Sequence, residues 1–310
     1  MGSTQEIPLF LEGLDQLDGP YFAASVVENN VHACMASILT GLHLITLCTC
    51  TTRWLVLLHV YIMKDPKSIK AIGGTGVLTS PYRVERDIRY IFPHPYCGGN
   101  LSRVDLAVLQ LWVPWPLTRN LAVAPLHLDA NTTYFDYVFE TKALEAPYCR
   151  TLSWWRYGLV QPPFGSSPKL NETAELHTQV AKVVDMHHCY PFQANVQGEI
   201  QEYTKIHPNF ELSKLCVLRT KVPWKSCGTD KGSPILCLIS ETIGWRMYGI
   251  GLGGAQCYSR HSLELYQGFT NALSFLRLYL GMDLTLKEHK VKPHQGSERK
   301  QKIDNLSLLE

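Results

Sequence analysis

The chain has 310 residues, of which 45% are hydrophobic and 18% are charged, and its formal net charge is +2. The apolar fraction is ample for a substantial core. The nearly neutral charge argues against nucleic acid or an anionic membrane as the main partner.

Ten cysteines lie between residues 34 and 257, and none stands in the paired C-x-x-C spacing of structural zinc sites. This pattern predicts disulfides and an oxidising compartment. Sequons of the form N-x-S/T indicate the same secretory route and give four candidate glycosylation sites. They are Asn100, Asn131, Asn171 and Asn305.

The first residues disagree with this prediction. Residues 1–13 read MGSTQEIPLFLEG, with neither a basic n-region nor an apolar core of the length that a signal peptide needs. We therefore expect an extracellular protein from the cysteines and sequons, although no signal peptide is visible. Either a leader has been removed, or the chain is not secreted as written.

In chain order, short segments rich in Val, Ile, Leu, Thr and Tyr alternate with turn residues: SILTGLHLITL, RWLVLLHVYIM, LAVLQLW, VLRT, ILCLIS and YGIGLGG. Their irregular spacing favours an antiparallel sandwich or barrel over βαβ units. The run 38–63 is apolar, but it contains an arginine, two histidines and five threonines and breaks into short pieces, so no membrane span is predicted.

One helix is predicted over residues 267–281, where apolar side chains recur at helical spacing and Gly281 provides a stop. The polar residues that follow have little to bury. We predict an N-terminal extension over 1–19, one folded domain over 20–281 and a disordered tail over 282–310.

Residues 20–50 carry the first specific motif. They begin Pro-Tyr, include a His-x-Cys, and end Thr46-Leu-Cys-Thr-Cys50. This stretch resembles the start of trypsin-like serine proteases, whose matching strand ends T-A-A-H-C. Cys34 and Cys50 keep that family's sixteen-residue separation. The resemblance places Thr49 at the position of the catalytic histidine.

The stretch 227–237 resembles the family's C-x-G-D-S-G-G-P-L-V-C motif without gaps, and Lys231 stands at the position of the nucleophilic serine. IFPHPY resembles the family's HP-Y strand. Residues 104–109 resemble its D-I-A-L-L motif, which puts Asp105 at the triad aspartate. The similarity extends over residues 20–281 and implies an all-β fold: a trypsin-like double antiparallel β-barrel with a C-terminal helix.

The resemblance would imply catalysis by a Ser-His-Asp triad, for which this family is the standard example. The substitutions remove the serine and the histidine of that triad. The hydroxyl of Thr49 has no useful proton affinity near neutral pH, so it cannot be a general base. Acylation of Lys231 would leave a stable amide without turnover. Thr229 replaces a glycine at the oxyanion position, where the backbone conformation favours glycine.

Active family members also release an Ile-Val-Gly-Gly terminus that pairs with the aspartate matched by Asp230. No such sequence precedes residue 20. Asp230 therefore needs another cation, for which the adjacent Lys231 is a candidate.

The specificity pocket is predicted to be altered. By resemblance, Lys225 replaces its floor residue, Glu264 replaces a glycine that leaves space, and the wall becomes Leu252-Gly253-Gly254. Opposite charges in a narrow apolar slot are tolerated only as a pair. We expect Lys225 and Glu264 to approach each other and fill the pocket.

The resemblance implies four disulfides, Cys34–Cys50, Cys149–Cys237, Cys189–Cys216 and Cys227–Cys257. Cys48 and Cys97 remain. Cys48 lies beside Thr49 and is interpreted as a small buried apolar residue on a strand, with a cysteine nucleophile as the alternative. Cys97 is either a free thiol or a partner in an intermolecular bridge.

Two further motifs carry no ligand in this interpretation. His187-His188-Cys189 lacks a third ligand at suitable spacing, and Cys189 is assigned to a disulfide. The glycines of 251–254 follow a strand into a loop rather than opening a helix, which is unlike a phosphate site. No metal or cofactor is predicted.

The function predicted is that of a catalytically inactive protease homologue that binds or regulates a protein through its surface loops. Inactive relatives in this family act in that way, several of them in reproduction. One alternative is a hydrolase that uses atypical residues, Cys48 or Lys231. Another is a glycosaminoglycan- or surface-binding protein, which the nearly neutral charge disfavours.

Overall fold

The structure is a computed structural model that describes parts of the predicted domain 20–281. The described residues are 22–55, 60–97, 104–117, 124, 149–155, 175–189, 214–219, 230–238, 245–253, 262–269 and 272–279. The predicted extension 1–19 and tail 282–310 lie outside them, as do the four candidate glycosylation sites.

Six strands close into the first antiparallel barrel in the order β1-β2-β3-β8-β7-β6. Their bounds are β1 Ala23–Glu28, β2 Val31–Ile38, β3 His43–Thr46, β6 Ile69–Gly73, β7 Val84–Pro93 and β8 Ala107–Leu111. Asn29 and Asn30 join β1 to β2 with positive φ angles of 50° and 59°. Asparagine tolerates this left-handed region, which two-residue hairpin turns require.

Six more strands close a second antiparallel barrel in the order β10-β11-β14-β13-β12-β9. Their bounds are β9 Cys149–Trp155, β10 Glu175–Val184, β11 Lys214–Arg219, β12 Pro234–Leu238, β13 Trp245–Gly251 and β14 Ser262–Gly268. The two closed barrels confirm the predicted fold class, and closure leaves neither barrel with a free sheet edge.

Shorter elements complete the description. Strands β4 (Thr52–Leu55) and β5 (Val60–Met63) form a separate hairpin, so the apolar run 38–63 is divided among strands and turns. A four-residue helix, α1, spans Cys48–Thr51, and 3-10 turns span Pro66–Ser68 and Met186–His188. Within the described ranges, every helix is too short or too polar to cross a membrane.

The C-terminal helix begins later than the sequence predicts. Residues 273–279 are helical, whereas Gln267 and Gly268 belong to β14. Gly268 pairs with Gly249 of β13, and Gln267 pairs with Lys214 of β11. The cross-strand hydrogen bonds therefore determine the conformation at the predicted start of the helix, and local helical spacing does not.

A close contact between one turn and one strand joins the two barrels. The turn before β12 contains Gly232, whose φ is +84° and where a Cβ would overlap the carbonyl oxygen of Met35 on β2. The backbone N–H of Met35 donates to the carbonyl of Lys231 at 2.7 Å. Only glycine fits this approach, so the turn that carries Lys231 packs directly on the first barrel.

Four disulfides are present among the described cysteines. Three are pairs that the resemblance implies, Cys34–Cys50, Cys149–Cys237 and Cys189–Cys216. The fourth joins Cys48 to Cys97. Cys227 and Cys257 lie outside the described residues.

Candidate functional site

Thr49 lies in the short helix α1, directly after β3. The helix is held on both sides, because Cys50 bonds to Cys34 on β2 and Cys48 bonds to Cys97 beyond β7. Both helix cysteines are buried, while Thr49 is half-buried. The two disulfides thus fix the backbone that presents the Thr49 side chain.

Asp105 approaches Thr49 from the segment that leads into β8. One carboxylate oxygen accepts the backbone N–H of Thr49 at 2.8 Å, and the other accepts its hydroxyl at 2.9 Å. Asp105 is 6% exposed. The structure therefore brings together two of the three residues at predicted triad positions, with a hydroxyl donor where a triad needs an imidazole.

The second barrel reaches this pair through Gln267 on β14. Its side-chain oxygen accepts the backbone N–H of Asp105 at 2.9 Å and also accepts from the ammonium group of Lys214 on β11. Lys214 is 5% exposed. Burial lowers the pKa of Lys214 to about 8, and the charge of Asp105 partly opposes this shift.

Asp230 precedes the Lys231 turn and is held mainly by β9. One carboxylate oxygen accepts the hydroxyl of Ser153 at 2.9 Å and the backbone N–H of Trp154 at 2.7 Å. The same oxygen lies 3.6 Å from Nε2 of His32, whose Nδ1 is hydrogen-bonded to Ser25 at 2.7 Å. His32 therefore occupies the position that we expected Lys231 to take beside Asp230.

Lys231 is exposed, and its stem lies over the strand end that the sequence assigns to the pocket wall. A Cβ at Gly253 would meet Cγ of Lys231 at 2.7 Å and its Cε at 3.6 Å. Gly253 has a φ of +90°, which suits glycine for conformation as well as for space. Among the described contacts, none joins the Lys231 side chain to Thr49, Asp105 or Asp230.

Glu264 has a buried cationic partner on the neighbouring strand, which the sequence analysis did not name. Its carboxylate lies 2.6 Å from Arg219 of β11, and the two side chains are 4% and 0% exposed. Arg219 also donates to Gln179 of β10 at 2.7 Å. The carboxylate at the predicted pocket position is thus neutralised from within the barrel wall. Lys225 lies outside the described residues.

The interpretation of Cys48 as an unpaired residue on a strand was wrong, as were both alternatives for Cys97. Cys48 belongs to α1, and its sulfur is bonded to Cys97. A sulfur in a disulfide has no thiolate with which to attack a substrate, so Cys48 is not a nucleophile in this state. The turn at 94–97 places Cys97 beside α1, although 49 residues separate the two cysteines.

The same pair lies beside a carboxylate. Ligand atoms of Cys48, Cys97 and Asp105 are all within 4.8 Å of one another. Zinc binds thiolates, and the disulfide removes them. In the bonded state, Asp105 alone among the three offers an anionic ligand, and its oxygens accept hydrogen bonds from Thr49.

Several predicted site residues lie outside the described residues, namely Thr229, Lys225 and Gly254. Leu252 is half-buried after β13, where its backbone N–H donates to Leu265 of β14 at 2.9 Å. The predicted wall therefore follows directly from a barrel strand at its described end.

Sequence reasoning missed the polar residues that support these positions: His32, Ser153, Gln179, Lys214, Arg219 and Gln267. Lys214 and Arg219 do leave a signal, because they flank the apolar LCVL of β11. An antiparallel strand with cations at both ends calls for anionic or amide partners on its neighbours. The other four have no comparable local signature.

No protein-family model matches the chain. Its two six-stranded antiparallel barrels and its disulfides are compatible with a trypsin-like fold.

Proposed function

We propose that the chain is a catalytically inactive homologue of trypsin-like serine proteases that acts by binding another protein. The resemblance of the ordered motifs supports the family, and the double barrel is compatible with it. The proposal about activity depends mainly on one observation, the paired hydrogen bonds between Thr49 and Asp105.

That contact supports inactivity because of the direction of its protons. Thr49 donates both its backbone N–H and its hydroxyl to Asp105, at 2.8 and 2.9 Å. A base at this position must instead accept a proton from the nucleophile, and a threonine hydroxyl does not do so near neutral pH. Asp105 therefore orients a donor and has no imidazole to stabilise.

The position of Lys231 supports the same proposal. The side chain is exposed and its stem lies against Gly253. Exposed lysines are solvated cations at neutral pH, and an amine that did attack a peptide would form a stable amide. Its neighbour Asp230 accepts hydrogen bonds from Ser153 and Trp154.

An active-site probe tests the inactivity. We expect a fluorophosphonate to label the purified chain far below one mole per mole, under conditions where trypsin is labelled completely. Stoichiometric labelling that Lys231→Ala abolishes would contradict the proposal. Stoichiometric labelling that Lys231→Ala leaves unchanged would place a reactive residue elsewhere in the chain and would also contradict the proposal.

The binding role needs a positive experiment. The disulfides fit an oxidising compartment, so extracellular fluid is the appropriate source of partners. The resemblance favours secretions of the reproductive tract. We expect a captured protein, once purified, to bind the chain reversibly and to stay uncleaved after prolonged incubation. Progressive cleavage that Lys231→Ala prevents would favour an enzyme instead.

A further inference from the structure

A group of aromatic, apolar and basic side chains, most of them exposed, stands on the first barrel where β7 passes the end of β8. We call it the Arg–Trp surface and define it as Arg86, Arg89, Tyr90, Trp112 and Val113. Trp112 and Val113 are each 57% exposed, and Tyr90 is 48% exposed. Large apolar side chains grouped in this way on an exposed face are typical of binding surfaces.

The two arginines of this surface have no carboxylate partner among the described residues. The acidic residues on the same strand are already paired. Glu85 lies 2.8 Å from Arg83, and Asp87 lies 3.8 Å from Lys70. The Arg–Trp surface therefore presents unneutralised positive charge next to exposed indole and phenol rings.

The guanidinium groups are held in place by the rings. The Cζ atom of Arg89 lies 4.9 Å from the ring of Trp112 and 5.1 Å from that of Tyr90. Arg86 lies 5.7 Å from the ring of Trp115. A stacked guanidinium keeps its N–H edge available and loses less conformational freedom on binding, so Arg89 suits a carboxylate. Arg86 is half-buried, and its Nε and one terminal nitrogen donate to backbone carbonyls at 3.2 and 2.8 Å, which leaves its other terminal nitrogen for a carboxylate.

The first barrel strand begins at the same end of the barrel. The carbonyl of Phe22 accepts from the N–H of Ile38 at 2.8 Å. Three residues further, the carbonyl of Gly41 accepts from the N–H of Trp115 at 2.7 Å. The residues that precede Phe22 therefore join the barrel close to the Arg–Trp surface.

The sequence that precedes this point has the complementary charge. Residues 1–20 contain four carboxylates, Glu6, Glu12, Asp15 and Asp18, and no lysine, arginine or histidine. They also contain the apolar run IPLFL at 7–11. These residues lie outside the described part of the chain.

We propose that the acidic segment 6–18 of this chain binds the Arg–Trp surface, with carboxylates on the two arginines and apolar side chains on the exposed rings. The reach is sufficient. A chain spans at most about 3.5 Å per residue, so Asp15 can lie up to about 25 Å from Phe22 and Glu12 up to about 35 Å.

Covalent attachment favours this occupant over a free one. A segment tethered by a few residues has an effective concentration on the order of millimolar, which exceeds that of a dissolved acidic peptide. Individual exposed ion pairs are weak, so the apolar contacts and the tether together give the binding. This inference holds whether or not the chain is an enzyme.

Photo-crosslinking in the full chain tests the proposal. With benzoylphenylalanine in place of Phe10, we expect an intramolecular crosslink to the peptide that contains Trp112. Reversing the surface charges with Arg86→Glu/Arg89→Glu should reduce its yield about tenfold, and so should Glu12→Arg/Asp15→Arg. Combining all four substitutions should restore at least half of the original yield.

A charge reversal on the second barrel, Lys182→Glu on β10, should leave the yield unchanged. The proposal is overturned if the crosslink maps elsewhere in the chain, joins two copies, or ignores the reversals. No crosslink, together with heparin retention that Arg86→Glu/Arg89→Glu removes, would assign the surface to a sulfated polysaccharide and would also overturn it.

Discussion

The two barrels bury polar groups of different kinds. On the described strands of the first barrel, the buried polar side chains are hydroxyls and imidazoles, such as Ser25, Thr46 and His43. The strands of the second barrel also bury a lysine, an arginine and a glutamate, Lys214, Arg219 and Glu264, each at 6% exposure or less. Both barrels have a buried apolar core, and the second also contains a buried ion pair, Arg219–Glu264.

The buried charges of the second barrel lie close to the candidate site. Buried charges cost several kcal/mol of desolvation and remain stable only with partners. Two of the three lie next to positions that the resemblance assigns to the triad or the pocket. Glu264 is itself one of those positions, and Lys214 shares Gln267 with Asp105. The buried charges and the candidate site residues therefore occur together.

Removing one member of the buried ion pair should lower the unfolding free energy more than any other substitution considered below. Arg219→Met leaves the carboxylate of Glu264 buried without its cation, which costs about 3–5 kcal/mol of unfolding free energy. Urea unfolding measures this loss. The double variant Arg219→Met/Glu264→Leu should recover most of it, because an apolar pair of similar volume removes the uncompensated charge.

The matched control is the exposed pair Arg83–Glu85 on the first barrel, whose side chains are 32% and 39% exposed. Arg83→Met should cost less than about 1 kcal/mol, as is usual for surface ion pairs. Equal losses for Arg219→Met and Arg83→Met would show that burial does not distinguish the two pairs.

Lys214 should make the second barrel sensitive to alkaline pH. Burial lowers the pKa of Lys214 to about 8 from 10.5. Between these values the unfolded chain holds a proton that the folded chain has released, so the unfolding free energy rises with pH across this window. Lys214→Met should remove that rise of the unfolding free energy between pH 8 and 10.5.

The exposed Lys182 of β10 provides the control. Lys182→Met should follow the wild-type dependence of unfolding free energy between pH 8 and 10.5. If Lys214→Met also shows the wild-type rise in unfolding free energy over this pH range, a group other than Lys214 is responsible for that rise.

His94 should make the first barrel sensitive to acid. Burial lowers the pKa of His94 to about 4 from 6.5, and the ring packs on Phe275 of the C-terminal helix with centroids 4.9 Å apart. The unfolded chain binds a proton between these values and the folded chain does not. The contribution of the neutral His94 to the unfolding free energy is therefore fully present above pH 6.5 and is lost as pH falls towards 4.

His94→Asn should reduce that acid loss by about 1–2 kcal/mol, because asparagine does not titrate and can accept the N–H of Tyr96 that Nδ1 now accepts. Unfolding curves at pH 7 and pH 4.5 measure the difference. An unchanged acid loss in His94→Asn would place the responsible group elsewhere.

The fold was predictable because its signals are local and ordered. The strand segments, the turn residues and the spacing of Cys34 and Cys50 all lie within short stretches of sequence. The start of the C-terminal helix was not, because Gln267 and Gly268 are held in β14 by partners from distant strands. Helical spacing alone cannot report such pairing.

The candidate site was predictable in part. The motifs located Thr49 and Asp105, and the structure places them in contact. The partner of Glu264 was missed, because sequence motifs assign positions and do not reveal which buried cation lies across the barrel. The Cys48–Cys97 disulfide was missed for a related reason, since the resemblance supplied no partner for either cysteine.

The absence of cleavage activity is the claim that matters most, and a peptide library measures it directly. The purified chain, incubated with a diverse library of extended peptides and followed by mass spectrometry, should yield no product above a mock purification. Cleavage that scales with the concentration of the chain and disappears in Lys231→Ala would contradict the account.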